Sequence, residues 1–455
     1  MRALDEQSGA GHEPYSTLAE LLRQRAIPRG PVLVLTDDPR RSSADWPSEY
    51  TLARPGEATT LLARADFQAV AVSIGSAADP DDPGALLDML GASLPADAVL
   101  AFIRPRRGGS GERQAAHSML RRSGFDRIWV ETRGRSLCAT ARRASSSGTR
   151  TCSIIVPVYN ERETFPILMR ALLAKRLDHL GLEREIIVVE SNSTDGTRDL
   201  VAGFTGAADV TVLWQDRPRG KGHAVRRGLQ AATGDIVLIQ DADLEYDLED
   251  YDALLQPLLL QDQVDFVLGS RHTGQARMRQ FSDQPLLGDL LNAAHLCFAT
   301  VINVLYGQSL KDPFTMFKVF RRDCLYGLEL ECDRFDFDHE LLIKLLLKGY
   351  VPLEVPVSYC SRSFKQGKKI RMFRDPPTWL RADLRYRLRR LEPRFDEFPP
   401  NVSPTDPSRP GTLLALGNRA SLGPREGTDT DGPHDDDEPK PRVREKIPHA
   451  TALER

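Results

Sequence analysis

The sequence predicts an α/β protein whose main body is an open, doubly wound sheet, preceded by a smaller α/β domain and followed by a disordered tail. Two observations carry this. From Thr151 to about Glu392, short apolar runs alternate with amphipathic segments, the pattern of repeated βαβ units around a parallel sheet. The composition, 41% hydrophobic and 27% charged over 455 residues, is that of a chain able to bury a sizeable core. A length of this order allows roughly two to four domains.

The elements follow in order. Residues 1–147 form the first domain, with strands at 31–35 (PVLVL), 67–72 (FQAVAV) and 98–103 (AVLAFI), then a helix and strand within 119–130 (MLRRSGFDRIWV). The Ser-Ser-Ser-Gly-Thr run at 145–149 reads as a linker. The second domain, 151–392, opens on the β-branched run 152–158 (CSIIVPV), followed by a helical pattern from near Glu163. Residues 185–189 (EIIVV) give its second strand, and Ser193 or Thr194 can N-cap the next helix. Strands at 210–214, 235–240 and 264–268 complete five. From 393 to 455 the chain is rich in Pro, Asp and Gly and reads as a disordered tail.

Charge and cysteine usage exclude several classes. Lys plus Arg total 61 against 64 Asp plus Glu, a net charge of -3, so the uniformly basic footprint of a nucleic-acid binder is missing. The six cysteines form no C-x-x-C pair and read as reduced, mostly buried thiols of a cytoplasmic protein. The start, MRALDEQSGAGHEP, shows neither a basic n-region nor an apolar h-region, so a cleaved signal is not expected. The longest apolar stretch, 286–306, is interrupted by Asp289, Asn292, His295 and Asn303, which makes bilayer spanning costly, and no transmembrane helix is predicted.

Ligands of an open parallel sheet bind outside the carboxyl ends of the strands, so the polar residues there are the candidate site. The first strand of the second domain ends in Pro157-Val158-Tyr159-Asn160-Glu161, and the second in Glu190-Ser191-Asn192-Ser193-Thr194-Asp195. The fourth ends in Gln240-Asp241-Ala242-Asp243-Leu244-Glu245. Carboxylates two apart on extended backbone point to one side, so Asp241 and Asp243 can share a hard divalent cation, with Glu245 two further on. The same D-x-D spacing at Asp79/Asp81, Asp250/Asp252, Asp336/Asp338, Asp429/Asp431 and Asp435/Asp437 reads as solvated loop, because only Asp241/Asp243 follows an apolar strand directly. Cations converge on the same edge: Arg219 and Lys221 in a glycine-containing helix start, Arg271 after the fifth strand, and Arg362, Lys365, Lys368 and Lys369 around Gly367. A nucleotide diphosphate requires this mixture of an acidic metal site and phosphate-binding cations.

Seven blocks occur in order: V-P-V-Y-N-E at 156–161, S-T-D-G-T at 193–197, R-G-K-G-x-A-V-R-x-G at 219–228, Q-D-A-D-L-E-Y-D at 240–247, G-S-R at 269–271, F-K-V-F-R-R at 317–322 and E-V-P-V-x-Y-x-x-R at 354–362. Together they resemble a family 2 glycosyltransferase of GT-A fold, of the dolichyl- or polyprenyl-phosphate mannose or glucose synthase type, over about residues 151–375. The resemblance implies that Pro157, Tyr159, Asn160, Glu161 and Glu190 surround the base and ribose of a nucleotide sugar, with Asp195 among the donor-binding residues. It makes Asp241, Asp243 and Glu245 ligands of Mg2+ or Mn2+, and Lys221, Arg271, Arg362 and Lys368 phosphate contacts. This chain has Glu190 and Ser191 where the family commonly has two aspartates, and Glu245 where a Gln is common, which leaves the nucleotide open. The strand order of residues 30–142, with its late L-R-R-S-G-F helix, looks like a class I methyltransferase, a Rossmann-like fold. The first strand there runs into Thr36-Asp37-Asp38-Pro39-Arg40 without the glycines that S-adenosylmethionine needs, so the domain reads as degenerate and non-catalytic.

Displacement at an anomeric carbon needs a stabilised leaving diphosphate and a nucleophile on the opposite face, giving inversion. A lipid phosphate acceptor is already an anion, whereas a hydroxyl acceptor needs a carboxylate to take its proton. Asp312 stands roughly where related enzymes keep their base, and Glu340 is the second candidate. The alternatives are a helix cap for Asp312 and an ion-pair partner for Glu340. The 286–306 helix reads either as core-facing or, with the basic 362–374 segment and Trp379, as an interfacial helix against a membrane. The expected activity is metal-dependent, inverting transfer of a hexose from a nucleotide sugar to a polyprenyl phosphate or another membrane-associated acceptor, by a protein that is cytoplasmic or peripheral at the cytoplasmic membrane face. The competing readings are a sugar nucleotidyltransferase, for which Tyr159-Asn160-Glu161-Arg162-Glu163 is not the needed glycine-rich loop, and a non-catalytic scaffold.

Overall fold

The computed structural model describes residues 31–36, 50–63, 67–73, 83–106, 111–144, 150–272, 285–362, 383–388 and 391. The linker at 145–149, the tail from 393, Lys368 and Trp379 lie outside the described residues. The fold is α/β, as predicted, and holds two sheets. Strands β1 (Val32–Thr36), β2 (Tyr50–Ala53), β3 (Ala69–Ser73), β4 (Val99–Pro105), β5 (Phe125–Arg133) and β6 (Ser136–Arg143) make the first, in the order β2-β1-β3-β4-β6-β5. Its first four strands are parallel, and β6 runs antiparallel between β4 and β5. Helices α1 (Ala58–Leu62), α2 (Pro83–Ser93) and α3 (Glu112–Arg122) accompany it. Strands β2 and β6 were not expected: β2 is four residues long, and Ser136–Arg143 ends in two arginines that mask its buried centre.

The second sheet has seven strands rather than five. It comprises β7 (Arg150–Val158), β8 (Leu182–Glu190), β9 (Val210–Trp214), β10 (Ile236–Ile239), β11 (Phe266–Ser270), β12 (Lys318–Arg321) and β13 (Leu353–Pro356), in the order β13-β11-β12-β10-β7-β8-β9. Only β12 is antiparallel to its neighbours. Ile154, Ile155 and Val156 of β7, Ile186 to Val189 of β8 and all of β10 are fully buried, the continuous β-branched runs expected of strands covered on both faces. Helices α4 (Phe165–Ala174), α5 (Thr197–Ala202), α6 (Lys221–Ala231), α7 (Tyr251–Leu260), α8 (Pro285–Tyr306) and α9 (Phe337–Lys348) surround it.

Two sequence expectations need correction. Half of the cysteines, Cys138, Cys152 and Cys324, are buried, while Cys297 and Cys360 are exposed. In addition, Gly288–Tyr306 within α8 is long and apolar enough to cross a membrane by length and composition, with a mean hydropathy of 1.3 and 22% of it buried. Two of the interrupting polar residues, His295 and Asn303, turn inward. The Asn303 side chain donates to Leu310 O at 2.8 Å and accepts from Leu310 N at 2.9 Å, and His295 is buried beside Asp312. Large apolar side chains remain outside: Leu286, Leu290, Leu296 and Val304 are 85%, 59%, 67% and 77% exposed. The helix thus has one face turned to the core, with Ala299 and Ile302 buried, and large apolar side chains on the other.

Candidate active site

The ends of β7 and β8 are tied together by side chains. Asn160, in left-handed backbone (φ 50°), donates its N–H to Ser193 Oγ at 2.9 Å and accepts at Oδ1 from Thr194 N at 2.8 Å. Glu161 N–H donates to Thr197 Oγ1 at 2.9 Å, and Asp195 accepts from the Thr197 hydroxyl at 2.6 Å and from Arg162 N at 3.2 Å. These bonds hold the Asp195 carboxyl below its usual range against the opposing effect of desolvation. Pro157 lies within β7, opposite Val189. Glu190, fully buried, accepts from Asn192 N at 3.0 Å, from Ser193 N at 2.7 Å and from Arg198. Its carboxylate therefore shapes the loop after β8.

At the end of β10, carboxylates and cations interleave. Lys221 Nζ lies 2.6 and 2.7 Å from the two oxygens of Asp241. Burial alone would lower the Lys221 pKa, but the charge and hydrogen bond of Asp241, with the Asp338 and Asp243 charges, together raise it above its ordinary value. Arg362 makes a fork to Glu161, at 3.0 and 3.2 Å, and reaches Asp243 Oδ2 at 3.0 Å. Burial, followed by the Asp241 and Glu245 charges, pushes the Asp243 carboxyl up to about 6. Glu245 departs from the expected ligand role. Its oxygens accept from Tyr359 Oη at 2.6 Å and from Arg362 N at 2.9 Å, so it braces the 358–362 segment across the left-handed turn at Leu244 (φ 59°). Among the described residues no group of three or more His, Cys, Asp or Glu is arranged to hold a metal. The hard-oxygen donors Asp241 and Asp243, crowded enough to repel each other, nevertheless fit a divalent cation. The helix start at Lys221 is set by Gly220 (φ 111°), where a Cβ would fall 2.3 Å from Asp333 O; this glycine serves packing within the chain itself.

The two residues expected to supply a base are engaged elsewhere. Asp312, fully buried, accepts from Arg271 N, Nε and an Nη at 2.9, 2.7 and 2.8 Å, with His295 Nε2 at 3.5 Å. Burial would raise its pKa, but Arg271 drives it far below the usual carboxylate range. Arg271, one of the expected phosphate contacts, is correspondingly paired with Asp312 and is buried. Glu340, fully buried in α9, accepts from Glu331 N at 2.8 Å, Cys332 N at 2.8 Å, Lys344 Nζ at 2.7 Å and Tyr386 Oη at 2.8 Å. It is an ion-pair partner.

Sequence reading missed Asp338, which it placed in a solvated loop. Asp338 sits at the start of α9 and is 8% exposed; its buried Oδ1 has no hydrogen-bond partner and lies 3.6 Å from Nζ of the fully buried Lys318. Its charge is also felt at Lys221, the residue paired with Asp241. Nearby, His339 Nδ1 meets Asp383 Oδ1 at 2.8 Å and stacks on Phe314 at 4.5 Å. The signal in the sequence was the D-x-D at Asp336/Asp338, one of six in the chain, which no neighbouring strand singled out.

The model of Glycosyl transferase family 2 matches residues 153–327, from β7 to the turn after β12, and so takes in the Lys221, Asp241 and Asp243 cluster. Residues 153–327 are thus similar to family 2 glycosyltransferases. Dolichol-phosphate mannosyltransferase of Pyrococcus furiosus is 27% identical over 220 residues, 48% of this chain and 58% of that protein. Dolichyl-phosphate beta-glucosyltransferase of Dictyostelium discoideum is 28% identical over 222 residues, 46% of this chain and 65% of that protein. The chain thus spans less than two thirds of the length of either. A solved structure of glucosyl-3-phosphoglycerate synthase from Mycobacterium tuberculosis is 21% identical, with a TM-score of 0.39 over 52% of this chain and 80% of that one.

Proposed function

We propose that the glycosyltransferase region moves a hexose, with inversion, from a nucleotide sugar to a polyprenyl phosphate or another membrane-associated acceptor. The observation that carries this is the interleaving of Lys221 with Asp241 and of Arg362 with Asp243 at the end of β10. Asp241 and Asp243 would hold Mg2+ or Mn2+, which would supply neutralisation of the leaving diphosphate. Lys221 and Arg362, already at this edge, bind the diphosphate oxygens as fixed cations, and Glu161 orients the Arg362 fork. The names of the two relatives support mannose or glucose and a dolichyl phosphate. The outward apolar face of α8 supports peripheral contact with the membrane that carries such an acceptor. A thermal-shift screen of GDP-mannose, UDP-glucose and UDP-N-acetylglucosamine, with and without Mn2+, tests the reading. Stabilisation that needs both a nucleotide sugar and the metal is expected. Failure of every donor to stabilise the protein, or failure of the chain to sediment with anionic vesicles, would remove the donor or the membrane part respectively.

Asp338 favours a second reading of the acceptor. A buried carboxylate whose Oδ1 has no hydrogen-bond partner and whose charge is felt at Lys221 is suited to accept a proton from a hydroxyl. With a hydroxyl acceptor, Asp338→Asn is expected to lower turnover about 100-fold or more while leaving donor binding unchanged. With a phosphate acceptor, turnover should hardly change, and comparing the variant on the two acceptor classes decides between them.

A further inference from the structure

The run at 145–149 suggests a tethered first domain, but the contacts between the two sheets are of another kind. Arg121, on α3, places Nε 2.6 Å from Asp265 Oδ1, just before β11, and an Nη 2.8 Å from Asp323 Oδ2, just after β12. The ladder between β5 and β6 slips between Asp126 and Trp129, and at this irregularity Arg127 (φ 48°) turns its backbone N–H out to Asp323 Oδ2 at 3.1 Å. From the other side, Lys348 at the end of α9 is almost wholly buried. Its Nζ donates to Cys324 O and Tyr326 O at 2.8 and 2.7 Å and lies 5.3 Å from the Trp129 ring of β5. His117 of α3 reaches Lys348 O at 3.1 Å with Nε2, and its ring lies 4.2 Å from that of Tyr350. Burial pushes His117 down to about 3, so it is neutral and Nε2–H is the donor. Burial alone would raise the Asp323 carboxyl, but Arg121 holds it at about 2. Gly349 (φ 104°) passes so close to α3 that a Cβ would fall 2.7 Å from Arg113 Cβ.

We infer that the α3–β5 face of the first sheet is a permanent brace for the β11, β12 and α9 ends of the glycosyltransferase region, so that the two sheets unfold as one cooperative body. A separable domain keeps few buried charges at its boundary, because parting would leave them unpaired or oblige them to be rehydrated. Here Arg121 pairs with two carboxylates of the other sheet at once, sharing Asp265 with Arg321, and Lys348 is enclosed by aromatic rings from both sides of the boundary. The strands so fixed carry Arg271 and Lys318 at their opposite ends. This inference stands independently of the donor and acceptor chemistry.

The test uses the full chain with Trp46 and Trp379 replaced by Phe and either Trp129 or Trp214 retained. Trp129 then reports on the first sheet and Trp214, on β9, on the second. Urea unfolding should give one midpoint from both probes, and Arg121→Leu should lower both equally. Two separated midpoints in the chain with Arg121 intact, or a shift confined to Trp129 in the variant, would overturn the inference. Should Arg121→Leu fail to fold, Arg121→Lys keeps the charge and gives up the two-pronged reach, and equal lowering of both midpoints is again required.

Discussion

Asp243→Ala is expected to lower sugar transfer by at least about 100- to 1000-fold, the loss that follows removal of one group stabilising transition-state charge, with little change in folding stability. Asp243 lies between Asp241 and Glu245 and is pushed up to about 6 by burial and by those charges, so its removal relieves repulsion in the folded chain. Arg362 retains its fork to Glu161 when Asp243 is gone. Asp241→Ala should cost as much activity but more stability, because it deprives the buried Lys221 ammonium of both oxygens that satisfy it. Asp241→Asn preserves a neutral acceptor for Lys221 and separates the two effects. Steady-state turnover measured beside thermal unfolding reads both. Wild-type turnover in Asp243→Ala would sink the assignment of the metal site, and a variant that is inactive because it is unfolded would not support it.

The pattern of the chain made some of this legible and hid the rest for physical reasons. The strands β7, β8 and β10 are continuous apolar runs buried on both faces, and their polar ends could be found by reading where each run stops. The two strands missed in the second sheet lack that signature. β12 places a fully buried lysine in its first position, and β13 is four residues long and only partly buried. The D-x-D at Asp241 was visible because a strand precedes it, while Asp338 starts a helix and owes its importance to Lys318, which pairs with it from another element. Side-chain pairing between distant segments was beyond sequence spacing altogether. Asp312 and Arg271 were read as base and phosphate contact respectively, yet 41 residues apart they satisfy one another. The polar interruptions of α8 were visible, but the side of the helix they occupy was not.

That pair carries the second large effect. Asp312→Ala should destabilise the protein by about 3–5 kcal/mol, since breaking a buried ion pair leaves an uncompensated charge. Arg271 would keep its guanidinium buried, with Nε and an Nη both deprived of the carboxylate that receives them. Replacing both residues with apolar side chains should recover much of that loss, because the pair's desolvation penalty is then removed along with its attraction. The pH dependence has a definite sign. The folded Asp312 carboxyl lies far below its unfolded value, owing to Arg271 acting against burial, so its contribution is fully present above about pH 4 and is lost as the pH falls through the depressed folded value. Chemical unfolding of Asp312→Ala at neutral pH distinguishes this brace from a general base. A base would lose turnover by orders of magnitude and keep its melting temperature, and that outcome would overturn the structural role. A brace loses stability first, and the double substitution restores stability without needing to restore catalysis.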